Sequence, residues 1–95
     1  MIVGVLKLSL ILAENHSLKG KRGALRRIQA RVSHKFNISV TEFDDQDLWQ
    51  SAVLGFGMVG SSRQIVEGTL HKVVGFVEDL GLAQVGDAEV ELFYC

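Results

Sequence analysis

The sequence predicts an α+β ferredoxin-like sandwich, in which a four-stranded antiparallel sheet of order 4-1-3-2 carries two helices on one face. Three observations predict it. Stretches of period-two alternation and stretches of helical period follow one another in the order βαββαβ. The connections between them are short, and right-handed crossovers then place both helices on the same side. Finally, 95 residues with 47% apolar and 22% charged side chains suit one domain, residues 1–95, with a single core.

The first strand spans Ile2 to Leu12. Ile2, Gly4, Leu6, Leu8, Leu10 and Leu12 fall on one side, Val3, Val5, Lys7, Ser9 and Ile11 on the other, as expected of a central strand. Glu14-Asn15-His16 forms a turn and Ser17 caps the first helix. That helix carries Leu18, Leu25, Ile28, Val32 and Phe36 at helical spacing, and Asn37 closes it. A short strand, Ile38 to Phe43, is followed by the polar connection Asp44 to Asp47.

The third strand runs from Trp49 to Val59. It sets Ala52, Leu54, Phe56 and Met58 against Ser51, Val53, Gly55, Gly57 and Val59. Ser61 caps the second helix with Gln64 as capping-box partner, and Val66, Leu70, Val73, Val77 and Leu80 form its apolar stripe. Gly81 ends it. The last strand, Asp87 to Tyr94, alternates Ala88, Val90, Leu92 and Tyr94 with Asp87, Glu89, Glu91 and Phe93.

Three blocks carry a family resemblance: His16-Ser17-Leu18-Lys19-Gly20-Lys21-Arg22, then Phe36-Asn37-Ile38-Ser39-Val40-Thr41-Glu42, then Asp47-Leu48-Trp49-Gln50. In that order they resemble the bacterial YlxP-like family of small domains of unknown function. The resemblance implies a ferredoxin-like fold and genes often found beside translation and ribosome-maturation factors. It implies no established activity.

Charge is distributed unevenly. Seven of the ten Lys and Arg residues lie between Ser17 and Phe36, where there is no Asp or Glu, although the net charge is only −1. Lys19, Lys21, Arg22, Arg26, Arg27 and Arg31 are the candidate nucleic-acid contacts, facing phosphates of RNA or a ribonucleoprotein. The alternative is a solvated face, with Asp44, Asp45 and Asp47 pairing Lys19, Lys21 and Arg22 at the helix start. The uncovered side of the sheet supplies a second surface. Val3, Val5, Phe43, Trp49, Val53, Val59 and Phe93 form an apolar set expected to mediate a homo-oligomer, a dimer.

Other chemistry is excluded residue by residue. Gly20-Lys21 is followed by Arg22 and preceded at position 15 by Asn15, so there is no P-loop. Asp44 to Asp47 lacks the glycine and distal glutamate of an EF-hand. Gly55-Phe56-Gly57-Met58-Val59 lacks the exposed aromatics on two central strands that an RNA-recognition motif stacks on bases. The loop after the first strand offers no arginine for an acylphosphatase-type anion site. His16, His34 and His71 lack metal-ligand spacing, and no cofactor is expected.

A lone terminal Cys95 gives no disulfide framework, and Met1 to Ala13 is too short and too interrupted for a signal peptide or membrane span. The expectation is a cytoplasmic, non-enzymatic binding module that associates with RNA or the translation machinery. The alternative is a homodimeric, ACT-like domain that senses a small ligand at its sheet face or helix ends.

Overall fold

A computed structural model describes residues 1–12, 17–44, 48 and 50–95. The expected turn at Glu14-Asn15-His16, the Asp45–Asp47 connection and Trp49 lie outside the described residues, as does the side chain of Asp44. The elements are β1 (Ile2–Ile11), α1 (Leu18–Lys35), β2 (Ser39–Asp44), β3 (Ser51–Gly60), α2 (Arg63–Leu80) and β4 (Gln84–Tyr94). The sheet runs β2-β3-β1-β4 with every pair antiparallel, which is the expected 4-1-3-2 order read from the other edge. Among the described residues no helix is long and apolar enough to cross a membrane.

Strand phasing follows the alternation. Leu6, Leu8, Leu10, Ala52, Leu54 and Phe56 are all at most 1% exposed. Gly4 identifies which side the helices cover. A Cβ there would overlap Val66 of α2 and come within 2.9 Å of Leu70 Cδ1. A Cβ at Gly60, which pairs with Ile2, would lie 2.7 Å from Val66 Cγ2. Two glycines on neighbouring strands therefore let α2 settle directly onto the sheet. Val66, Leu70, Val73 and Val77 are fully buried as a result, each stabilising the fold by about 1.5–3 kcal/mol.

Several boundaries move from the expected ones: β1 ends at Ile11, Phe36 rather than Asn37 caps the end of α1, and β2 runs Ser39–Asp44. Pairing explains three further shifts. β3 continues through Gly60 because Gly60 pairs with Ile2, so α2 starts one residue late. Ser62 rather than Ser61 is then the cap: its Oγ accepts from the Ile65 amide at 3.4 Å, and no Ser61–Gln64 box forms. β4 begins at Gln84 instead of Asp87, since Val85 and Gln84 pair with Leu10 and Ile11 after a bulge. In β2, Glu42 faces Leu54 and Asp44 faces Val53, leaving Phe43 as the extra residue of a second bulge. Gly81 ends α2 in the left-handed region at φ 68°, as its residue type suggested.

The basic helix face and the open sheet face

α1 starts at Ser17, whose side chain accepts from the Gly20 amide at 3.0 Å. Ala24, Leu25, Ile28 and Val32 are its buried apolar residues. Lys19, Arg22, Arg26, Arg27 and Arg31 are exposed on the outer surface. Among the described residues, ion pairs join Lys21 to Glu42 and Arg63 to Glu67, and none reaches these five cations. Arg27 Nε donates to its own helix, to the Gly23 carbonyl at 3.4 Å, a long contact that leaves the guanidinium at the surface. At the far end, the Lys35 ammonium sits 5.8 Å from the centre of the Phe76 ring, and Phe76 meets Phe36 edge to face.

Lys21 departs from expectation. It is only 2% exposed, donates to the Leu48 carbonyl at 2.7 Å and lies 3.3 Å from Glu42 Oε2. It therefore leaves the set of candidate phosphate contacts. Its position explains why: residues 21, 25, 28 and 32 recur at helical spacing, so Lys21 continues the apolar stripe toward the helix start. Its methylene stem is buried with that stripe while the ammonium reaches polar partners. Glu42 is on the helix-facing side of β2, since it pairs with buried Leu54. The periodicity carried this signal, and the charge of Lys21 obscured it.

On the opposite face the register lays residues out in rows. Val59, Val3 and Phe93 form one row, Ser39, Gly57, Val5 and Glu91 the next, and Thr41, Gly55, Lys7 and Glu89 the third. Val53 lies beyond them, opposite Ser9. The expected apolar residues among the described set thus share one face, with Phe43 46%, Phe93 48% and Val59 61% exposed. Lys7, directly opposite Glu89, holds its ammonium 5.6 Å from the Phe43 ring centre instead of pairing with that acid. Phe43 also covers Gly55, where a Cβ would meet its ring at 3.4 Å.

The face is hollow where glycine replaces side chains. A concavity of about 480 Å³ is lined by Val5, Lys7, Thr41, Phe43, Gly55 and Gly57 among others. A second, of about 410 Å³, lies at the β2 corner between Asn37, Ile38, Ser39, Gly57 and Val59. A third, of about 190 Å³, lies between Lys7, Phe43, Asp87 and Glu89.

Comparison with known proteins places this geometry. The family model described as "Protein of unknown function (DUF503)" matches residues 3–90. The uncharacterized protein YlxP of Bacillus subtilis (strain 168) is 39% identical over 77 residues, which covers 81% of this chain and 84% of that protein. The de novo designed protein Foldit4 superimposes with a TM-score of 0.56 over 100% of this chain and 99% of its own, at 13% identity. The last is a likeness of fold alone.

Proposed function

Because the chain belongs to the DUF503 family, whose description assigns no function, its role has to come from its own surfaces, and we propose a non-enzymatic module that binds RNA phosphates through α1. One observation carries this. Lys19, Arg22, Arg26, Arg27 and Arg31 are exposed on one helix with no carboxylate within ion-pair distance among the described residues. All eleven acids of the chain lie outside the Ser17–Phe36 segment. Uncompensated guanidinium groups on a rigid helix suit phosphate oxygens, which they grip in forked pairs. They also act without base-specific contacts, so RNA of many sequences would be bound.

About four phosphate contacts give a log–log salt slope near −3 to −4, so affinity should fall roughly a hundredfold between 50 and 200 mM salt. A mobility-shift titration with total cellular RNA reads this directly. The variant Arg26→Glu/Arg27→Glu/Arg31→Glu should lose binding while keeping its circular dichroism spectrum. Salt-insensitive binding, or a triple variant that binds as well as the parent, rejects the proposal.

A second reading, a small-ligand sensor, is favoured by the 480 Å³ concavity beside the Lys7 ammonium and the Phe43 ring. A thermal-shift screen with amino acids and nucleotides separates the two. A ligand that raises the melting temperature of the triple arginine variant as much as that of the parent acts at the sheet face rather than at α1.

A further inference from the structure

We propose that the open sheet face is covered by a second copy of this chain, related by a two-fold axis along the strands, so that β4 of each copy lies over β2 of its partner. This goes beyond the RNA proposal and is independent of it. It uses the layer opposite α1 and leaves both basic helices on the outside of the pair.

The first argument is area. β1 and β3 have ten residues each and β4 eleven. At about 3.3 Å per residue and about 4.8 Å between four strands, the face measures roughly 33 by 19 Å. Two copies would then bury on the order of 1,200 Å², the lower end of the range for a specific interface. Exposed Phe43, Val59 and Phe93 supply the large apolar side chains such a contact needs.

The second argument is charge, and it selects the symmetry. Glu89 and Glu91 stand along the β4 side of the face, Ser39 and Thr41 along the β2 side in the same two rows. A two-fold axis running across the strands stacks β4 on β4 and brings the acids of both copies together. An axis along the strands keeps each row level and exchanges its ends. Glu91 then faces the partner's Ser39 and Glu89 the partner's Thr41, setting carboxylates over hydroxyls, of which that of Thr41 gives up only a long 3.3 Å contact to the Glu42 carbonyl. The Glu89 and Glu91 carboxylates of the two copies are separated and the contact is self-complementary.

Shape gives the third argument. Phe93 is 48% exposed at one end of β4, in the row of Val3 and Val59. The 410 Å³ hollow lies at the same end of the face on the β2 side, beside Asn37, Ile38 and Ser39. The axis along the strands brings each Phe93 to the partner's hollow, so one knob-and-hole contact is made twice. Gly57 keeps the centre of the face low, and the partner's Lys7 lies over the Phe43 ring that covers Gly55.

Light scattering across the micromolar range tests the pairing, and cross-linking tests the symmetry. The parent should have the mass of two chains. Phe93→Glu should weaken association by at least about thirtyfold, the scale of an aromatic anchor seated in a partner's hollow, and Val53→Asp should act in the same direction. Both variants should keep the parent's circular dichroism. Facing sheets pack about 10 Å apart, beyond disulfide reach, so a short bis-maleimide is the probe, in a Cys95→Ser background. Ser39→Cys mixed with Glu91→Cys should link. Glu89→Cys alone should not, since the two copies of that residue stand about three strand spacings apart sideways. The mass of one chain throughout, a dimer indifferent to Phe93→Glu, or self-linking of Glu89→Cys overturns the proposal.

Discussion

α1 and α2 have the same length, 18 residues, start from a serine cap and shield the same sheet, yet the sequence solves the two tasks differently. α2 buries four aliphatic residues completely and is drawn against the strands by the glycines at 4 and 60. α1 buries Ala24, Leu25, Ile28 and Val32 and ends its inner stripe in a lysine. Its outer side holds like-charged pairs four residues apart, Arg22–Arg26, Arg27–Arg31 and Arg31–Lys35. Each costs about 0.2–0.5 kcal/mol in an isolated helix. α2 instead has a favourable spacing at Arg63 and Glu67, 3.9 Å apart. One helix is thus specified for packing, and the other retains local repulsion that packing must offset. Under the RNA proposal, that repulsion is relieved when phosphates bind the helix.

The sharpest way to break this contrast is to disturb the close approach of α2. Gly4→Val puts a Cβ and two methyl groups where Val66 and Leu70 already lie, both fully buried. Neither the strand nor the helix can retreat without opening the core, so the expected loss is at least about 3 kcal/mol. Urea unfolding should show a midpoint lowered accordingly. On α1 the matching test is Gly23→Ala, since nothing lies within 4 Å of a Cβ there. That substitution should stabilise by up to about 1 kcal/mol through helix propensity. A tolerated Gly4→Val would mean that α2 is not held as closely as its glycines indicate.

The next effect concerns the buried lysine. Lys21→Ala removes the partner of Glu42 and leaves the Leu48 carbonyl without its 2.7 Å donor. The cost should be about 2 kcal/mol, less than for a fully enclosed pair because the Glu42 side chain is still 23% exposed. Lys21→Met combined with Glu42→Leu should return to within about 1 kcal/mol of the parent, since apolar replacements of similar volume need no charge partner. RNA affinity should be unchanged in both, because Lys21 does not reach the surface. If Lys21→Ala lost RNA binding without losing stability, the division between inner and outer sides of α1 would be wrong.

Alternation and helical period were enough to read the element order, strand phasing and both apolar stripes. These features depend on burial, which has a strong period in the residue pattern. The bulges at Phe43 and between Val85 and Ala88 were not legible, because an inserted residue changes which neighbour is opposite without changing composition. The α2 cap moved for a related reason: the pairing of Gly60 with Ile2 decides where β3 stops. Lys21 was not legible as an inner residue because a charged side chain is seldom buried, although its position four residues before Leu25 continues the stripe. Among the described residues the apolar set on the open face was legible, but the corner hollow beside Ser39 depends on how the chain enters β2.

The smallest expected effect separates stability from binding on α1 itself. Arg27→Glu replaces a repulsive pair with an attractive one, the new carboxylate standing four residues before Arg31 in the favourable order. Relieving about 0.2–0.5 kcal/mol of repulsion and adding a similar attraction should raise stability by about 0.5–1 kcal/mol. The lost contact to the Gly23 carbonyl is long and exposed and offsets little of this. For a domain of this size the melting temperature should rise by roughly 2–8 °C. The same change places a carboxylate among the arginines proposed to face phosphates, so RNA binding should weaken and its salt slope should flatten by about one to two. If α1 were merely a solvated face, the variant would gain stability and lose nothing. Opposite signs for the two measurements are what a surface shaped for a polyanion requires.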